Sequence, residues 1–471
     1  MSQRSGLRRR QIVQALGAAT ALGAAGLCGP LMARTVGAMP ARPNIVFIMA
    51  DDMGFADLSF TGSHHIRTPA IDSIGQQGLF VRQAYANSPI CSPSRTALLT
   101  GCYQYRFPVG LEEPLGAKAL ASLGVPFDRP TLPGVFRQMG YATSLIGKWH
   151  LGEPPRHGPL QHGYDRFFGI VEGAADYFRH HMVVGGRDVG IGLARDNAGT
   201  AQEGYLTDMF GDEAVKVIEQ AGDKPFLLSL HFNAPHWPWE NREDAELARR
   251  IGASYHYDGG NLEAYRRMVQ AMDENVAKVL AALERTGQAD NTIVIFTSDN
   301  GGERFSETWP FTGVKGELLE GGIRVPLLIR WKARIAPGSI SDQVVTNMDF
   351  LPSLLAMAGG KLPAGVAFDG ADLSAQLARG AAPVARQLFW RFKAGDQAAL
   401  REGDWKYLKL GGKEHLFNLA VDARERADQA ALDPDRLARM RATWAQWNAG
   451  MLPYPADSFS ENVRDHYPDR Y

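Results

Sequence analysis

Four apolar runs in this chain each end on polar or charged residues, and that punctuation constrains the fold more than any other feature. Ile45–Ala50 leads into Asp51-Asp52, and Thr143–Ile146 into Gly147-Lys148-Trp149-His150. Phe226–Phe232 runs toward Pro235-His236, and Thr292–Ser298 into Asp299-Asn300-Gly301-Gly302. Uninterrupted apolar runs of this length read as strands covered on both faces, as in a parallel sheet, and Val325–Trp331 reads as another. Helical patterns lie between them. Leu262–Leu283 places Leu262, Tyr265, Met268, Met272, Val276, Val279 and Leu283 at helical spacing before Thr286-Gly287. Thr207–Ala221 puts Phe210, Ala214, Val217 and Ile218 on one face. This alternation predicts an α/β fold with a mainly parallel sheet flanked by helices. In open α/β sheets the ligand crevice lies beyond the carboxyl ends of the strands. Four strands therefore deliver acids, an amide, a lysine and two histidines to one edge.

After about Pro383 the texture changes. Leu388–Lys393, Ala398–Arg401, Trp405–Leu410 and His415–Leu419 are short mixed segments separated by Gly and Asp, which predicts a small antiparallel sheet. A helix over Asp435–Trp447 follows. The expected organisation is a leader over residues 1–38, a catalytic α/β domain over 39–382 and a C-terminal subdomain over 383–471.

The leader stands out by charge. Residues 1–38 hold five arginines and no acid, and without them the chain carries 45 basic against 51 acidic residues. The whole chain, at net −1, has no polycationic footprint for nucleic acid. Arg8-Arg9-Arg10 precedes a short, Ala- and Gly-rich apolar run from Ala15 to Leu27, with small residues following at Ala33 and at Val36-Gly37-Ala38. That order fits a cleavable export signal, is too short and weak for a transmembrane segment, and resembles the twin-arginine type. The expected location is periplasmic or secreted. Of three cysteines Cys28 lies in the leader, so only Cys91 and Cys102 remain, which excludes a disulfide scaffold.

Cys91-Ser92-Pro93-Ser94-Arg95 is the focal motif, followed by Thr96-Ala97-Leu98-Leu99-Thr100-Gly101. Ser and Pro suit a helix start and Gly101 its end. Cys91 then sits at a helix N-terminus, where free N–H groups and the dipole favour an anion. An isolated cysteine there reads as a buried structural residue. This stretch, however, resembles the sulfatase signature, in which Cys-x-Pro-x-Arg precedes a helix ending in Thr-Gly. Asp51-Asp52 and Asp299-Asn300-Gly301-Gly302 resemble the family's two metal-binding pairs. Gly147-Lys148-Trp149-His150-Leu151-Gly152 and Ala234-Pro235-His236 resemble its active-site blocks. Gly313-Val314-Lys315-Gly316 with Glu320-Gly321-Gly322-Ile323-Arg324-Val325-Pro326 resembles its lysine block, and Leu416-Phe417-Asn418-Leu419 its C-terminal motif. All occur in the family's order between about Pro43 and Ala430.

The resemblance implies the alkaline-phosphatase-like α/β architecture and conversion of Cys91 to Cα-formylglycine by a cytoplasmic maturation enzyme. Its hydrated aldehyde is then the nucleophile. Asp51, Asp52, Asp299, Asn300 and residue 91 would hold one Ca²⁺, with Mg²⁺ as the other hard ion suited to oxygen ligands. Asp299 would take the nucleophile's proton, and Arg95 and Lys148 would hold the diol and offset negative charge. His236, with Lys315, would bind sulfate and protonate the leaving alcohol, and His150 would drive sulfate release. The implied activity is hydrolysis of a sulfated small molecule or glycan, in the arylsulfatase A and N-acetylgalactosamine-6-sulfatase branch. The alternatives are a phosphonate or phosphate ester hydrolase on the same fold and a non-catalytic sulfated-glycan binder. Trp237, Trp239 and Trp309 are candidates for either a cleft or the core. His64-His65 and His180-His181 read as solvated loops, and Cys102 as a buried free thiol. Specificity is expected in loops Glu172–Gly204 and Asn241–Gly260.

Overall fold

The computed structural model describes residues 42–254 and 260–462. The leader expected over 1–38 and part of the Asn241–Gly260 loop lie outside the described residues. Strands in chain order are β1 (Asn44–Ala50), β2 (Leu79–Tyr85), β3 (Ala142–Gly147), β4 (Arg166–Ile170), β5 (Met182–Val184), β6 (Arg187–Val189), β7 (Leu193–Arg195) and β8 (Ala198–Gly199). They continue as β9 (Phe226–His231), β10 (Thr292–Ser298), β11 (Leu327–Arg330), β12 (Ser339–Thr346), β13 (Gln387–Phe392), β14 (Gln397–Glu402), β15 (Trp405–Leu410) and β16 (Lys413–Asn418).

The main sheet has ten strands in the order β12-β2-β11-β10-β1-β9-β3-β4-β7-β8. Its centre, β10-β1-β9-β3-β4, is parallel throughout. The predicted strand over Val325–Trp331 is shorter, Leu327–Arg330, and runs antiparallel to both β10 and β2. A continuous apolar run reports burial on both faces, which antiparallel strands inside a covered sheet share; it carries no direction. Strands β2 and β12, which carry polar residues at intervals, escape a reading based on apolar runs.

Period-2 alternation splits β1 between two cores. Val46, Ile48 and Ala50 face one, built with the helices Leu206–Gln220 and Leu262–Arg285. Ile45, Phe47 and Met49 face the other, built with Leu132–Gln138 and Phe350–Met357. The 24-residue Leu262–Arg285 helix is capped by Asn261, whose side chain accepts from Ala264 N. It buries Tyr265, Met268, Met272, Val276, Val279 and Leu283, as their spacing predicts, whereas Leu262 at its first position is exposed. No helix among the described residues is long and apolar enough to cross a membrane.

β13–β16 form an antiparallel sheet in sequence order, followed by the helix Pro434–Asn448. Its Gln397 donates from Nε2 to Gly316 O at 2.8 Å and accepts from Leu318 N at 2.9 Å. The small sheet thus braces the backbone beside Lys315.

The central strands end level. Ala50 is in register with Ser298, Met49 with His231, and Gly147 with His231. The ladder runs on past the strand ends, with Asp299 N donating to Ala50 O at 3.2 Å, Asp51 N to Ala234 O at 3.1 Å and Lys148 N to His231 O at 2.8 Å. Gly147 makes the last contact possible. Its φ is +111°, and a Cβ there would lie 1.8 Å from His231 O. Gly147→Ala is therefore expected to lower stability by more than about 3 kcal/mol, read from the urea unfolding midpoint.

Candidate active site

Cys91 opens a ten-residue helix, Cys91–Thr100, in which every residue is buried and whose C-cap Gly101 is left-handed at φ 65°. Polar side chains tie down the approach. Ser94 Oγ accepts from Ser88 N and donates to Ser88 O, both at 3.0 Å, and Ser92 Oγ accepts from Leu115 N at 2.7 Å. Arg95, one turn along, reaches the sheet edge. Its Nε and Nη2 lie 3.0 and 2.9 Å from Asp299 Oδ2, and its Nη1 donates to Lys148 O at 3.1 Å.

Around Cys91 the strand ends assemble alternating charges. Lys148 Nζ sits 2.5 Å from Asp51 Oδ2, both fully buried. Lys315 Nζ donates to Asp52 Oδ2 at 2.6 Å and lies 3.3 Å from Glu303 Oε2. Asn300 Nδ2 donates to Asp52 Oδ1 at 2.8 Å, and Asp52 N to Asp299 Oδ1 at 3.2 Å. Asp52 is held at φ 62°, a conformation costly for a residue with a side chain.

The electrostatics follow from burial and these neighbours. Burial and the charge of Asp299 push the Asp51 carboxyl well above its usual range. Burial acts upward on Asp52 too, but Lys315 and Lys148 outweigh it and hold that carboxyl low. Lys315 stays an ammonium, because Asp52 and Glu303 outweigh its own desolvation. Asp51 Oδ1 and Asn300 Oδ1 are buried acceptors with no hydrogen-bond donor. Ligand atoms of Asp51, Asp52, Cys91 and His236 lie within 4.8 Å of one another, which is room for one ion. That group includes His236 and leaves out Asp299 and Asn300, but its two carboxylates together with the donor-free oxygens of Asp51 and Asn300 fit a hard cation.

Both histidines have their tautomer fixed by a backbone carbonyl. His150 Nε2–H donates to Leu115 O at 2.9 Å, leaving Nδ1 as a buried lone pair without a donor. His236 Nδ1–H donates to Trp237 O at 2.7 Å, so Nε2 faces Lys315 Nζ at 3.4 Å. Burial and the nearby lysines push both imidazoles well below their ordinary value, so both are uncharged at neutral pH. His150 is held at φ 58°.

The structure thus brings Asp51, Asp52, Cys91, Arg95, Lys148, His150, His236, Asp299, Asn300 and Lys315 to one sheet edge. Glu303 was not singled out by its motif, although it directly follows Asp299-Asn300-Gly301-Gly302; its carboxyl, pushed up to about 8 chiefly by burial, neighbours both Asp52 and Lys315. Trp237 and Trp239 are buried, whereas Trp309 is 58% exposed with the Arg424 guanidinium 4.5 Å from its ring centre. His64 and His65 are exposed and Cys102 is a buried free thiol. His180 departs from the solvated-loop expectation: it is buried, its Nε2–H donating to Gly204 O at 2.9 Å.

Comparison with known proteins gives this geometry a family. The sulfatase family model matches residues 43–360. Mouse (Mus musculus) arylsulfatase J is 28% identical over 90% of this chain and 79% of its own length. N-acetylgalactosamine-6-sulfatase, also from Mus musculus, is 32% identical over 72% of this chain and 67% of its own. The crystal structure of Ps i-CgsB superimposes with a TM-score of 0.79 at 30% identity, covering 90% of this chain and 96% of that one. The same protein has been solved in complex with k-i-k-neocarrahexaose. With the family model spanning most of the chain and named sulfatases among its relatives, this protein belongs to the sulfatase family and is a hydrolase of sulfate esters.

Proposed function

We propose that the substrate is a sulfated carbohydrate and that residue 91 works as formylglycine beside a single Ca²⁺, with Mg²⁺ the alternative ion. The observation that carries this reading is the state of Cys91 itself. Burial pushes its thiol up to about 12 despite Lys148 and Lys315 nearby. An unmodified thiol there stays protonated and is a poor nucleophile. A buried thiol at the centre of a charged cluster makes chemical sense as the precursor of another group. The oligosaccharide complex of Ps i-CgsB supports the carbohydrate class.

The metal supplies Lewis-acid polarisation of the sulfate and of the nucleophile when bound. Asp51, Asp52, Asp299 and Asn300 would hold it, Asp51 and Asn300 through the donor-free oxygens described above. The chain's own residues divide the remaining work. Arg95 and Lys148 fix the aspartates and offset charge on the nucleophile side. Lys315, held as an ammonium, receives the sulfate oxygens. His236 Nε2 carries no proton in the resting site; an anionic ester beside it raises its proton affinity, and the protonated ring then delivers that proton to the leaving alcohol. His150 Nδ1, a buried lone pair without a donor, accepts the proton whose removal releases sulfate. Residues 1–38 would direct export to the periplasm or exterior after a cytoplasmic maturation enzyme has acted on Cys91.

Intact-peptide mass spectrometry of protein made with a maturation enzyme is expected to show an aldehyde replacing the Cys91 thiol. Cys91→Ala is expected to abolish turnover without unfolding the protein; active enzyme with an intact thiol would refute the reading. Metal analysis is expected to find about one Ca²⁺ or Mg²⁺ per chain. Asn300→Ala should weaken that ion by roughly tenfold or more in a calorimetric titration. For the histidines, leaving-group dependence is diagnostic. His236→Ala should slow sugar sulfates by at least about 100-fold and activated aryl sulfates less, because a phenolate leaves with little protonic help. His150→Ala should give a rapid burst of about one alcohol per site followed by slow sulfate release, seen by stopped-flow and ion chromatography.

A further inference from the structure

Beneath the two histidines, two loops meet at a pair of acids that the reaction does not use. After β4 the chain passes under His150, where a Cβ at Gly173 would lie 2.5 Å from the ring's Cε1. It continues to Asp176 and Tyr177. The second loop carries His236, Trp237 and Glu240. Hydrogen bonds knit the loops together. Tyr177 OH donates to His236 O at 2.9 Å, Tyr177 N to Glu240 Oε2 at 2.9 Å, and Asn233 Nδ2 to Ala175 O at 3.3 Å. Asp176 Oδ1 accepts from Phe178 N and Arg179 N at 2.9 and 2.7 Å.

Two oxygens are left over. Asp176 Oδ2 and Glu240 Oε1 are buried and have no donor, on residues that are themselves fully buried. The two carboxyl groups lie against each other, close enough to share a hydrogen bond once one of them carries a proton. A pair of buried acceptors can be satisfied by one proton between them, and two charges so placed would repel. We propose that Asp176 and Glu240 share one proton and latch the loop under His150 to the loop carrying His236, making them positioning residues of the sulfatase site.

The charged groups around the pair leave that proton as its main neutraliser. Arg179, on the Asp176 loop, lowers Asp176 from a distance, but burial outweighs it, and its guanidinium is paired with Asp188 at 2.5 Å and bonded to the carbonyls of Ile251 and Gly186. His180, beside Asp176, is uncharged through burial. Asp244, following the Glu240 loop, adds a further negative charge. Tyr177 and Tyr205 face the pair as neutral phenols, and Tyr205 OH donates to Glu240 O at 2.8 Å. Burial, then the Asp176 charge, pushes Glu240 up to about 9, and burial raises Asp176 as well. The sign follows. Between the ordinary carboxylate range and about pH 9 the native protein keeps a proton that the unfolded chain releases, so this pair's contribution to stability falls as pH rises through that window. Above it, two like charges share one buried contact and the latch opens.

The test uses the mature, metal-loaded enzyme with 4-nitrophenyl sulfate. In Glu240→Gln the amide N–H replaces the shared proton permanently. The wild type is expected to lose kcat above about pH 9 with KM changing less, whereas Glu240→Gln should keep at least about a third of kcat at neutral pH and lose that alkaline limb. Glu240→Ala and Asp176→Ala should lower kcat by about tenfold or more, through misplacement of His236, with Asp176→Asn restoring most of it. Independently of turnover, the pH dependence of the unfolding free energy between about pH 5 and 8 should be one proton smaller in Glu240→Gln than in wild type. The effect on kcat rests on the sulfate-ester reading of the site; the proton count does not. A one-proton difference in protein that fails to turn over would uphold the latch and refute that reading. An unchanged proton count together with an unchanged alkaline limb would overturn the latch.

Discussion

Burial of three aspartates at one sheet edge is the constraint around which the rest is arranged. An isolated carboxylate taken out of water costs several kcal/mol even after relaxation. Asp51, Asp52 and Asp299 are all fully buried. Each is offset by a cation from a different part of the chain: Lys148 from the end of β3, Arg95 from the Cys91–Thr100 helix, and Lys315 from the loop after β10. The central position of β1, between β10 and β9, makes the meeting possible, since it sets Asp51 and Asp52 among the ends of its neighbours. Slippage of any one element would leave an uncompensated buried charge. The same lattice leaves oxygens of Asp51 and Asn300 without a hydrogen-bond donor, which a cation could satisfy.

The lysines also set the state of the histidines. Crowded by positive charge and cut off from water, His150 and His236 are uncharged and keep a lone pair available. A backbone carbonyl fixes which nitrogen that is. Each carbonyl is braced in turn: Leu115 by its N–H on Ser92, and the Trp237 segment by Tyr177 OH on the adjacent His236 carbonyl. Orientation of the proton-transfer groups is therefore a property of the loops. The acid pair between their loops poses the same problem of buried polar groups, whose oxygens call for a donor, a cation or a proton.

Much of this was legible in the sequence because the signals are local. Apolar runs, their polar terminators and helical spacing predicted β1, β3, β9, β10, the Leu206–Gln220 and Leu262–Arg285 helices and the four-stranded C-terminal sheet, within a residue or two at most ends. Motifs at the strand ends named seven of the ten residues that meet at the edge, the helix signature supplied Cys91 and Arg95, and the lysine block supplied Lys315. Misses were of another kind. The direction of β11 depends on which strands it joins, and the burial of His180 depends on Gly204 reaching its ring.

The sequence by itself determined the fold class, the edge at which chemistry gathers and the residue types available there, because periodicity and punctuation are written in neighbouring positions. Only the tertiary structure decided which oxygens stay unpartnered, which imidazole nitrogen holds its proton, that Glu303 joins the Asp52–Lys315 cluster, and that Asp176 faces Glu240. Those outcomes depend on pairwise distances between segments remote in the chain and on how completely water is excluded from them. Charge, tautomer and proton affinity respond to that environment, which no single stretch of sequence contains.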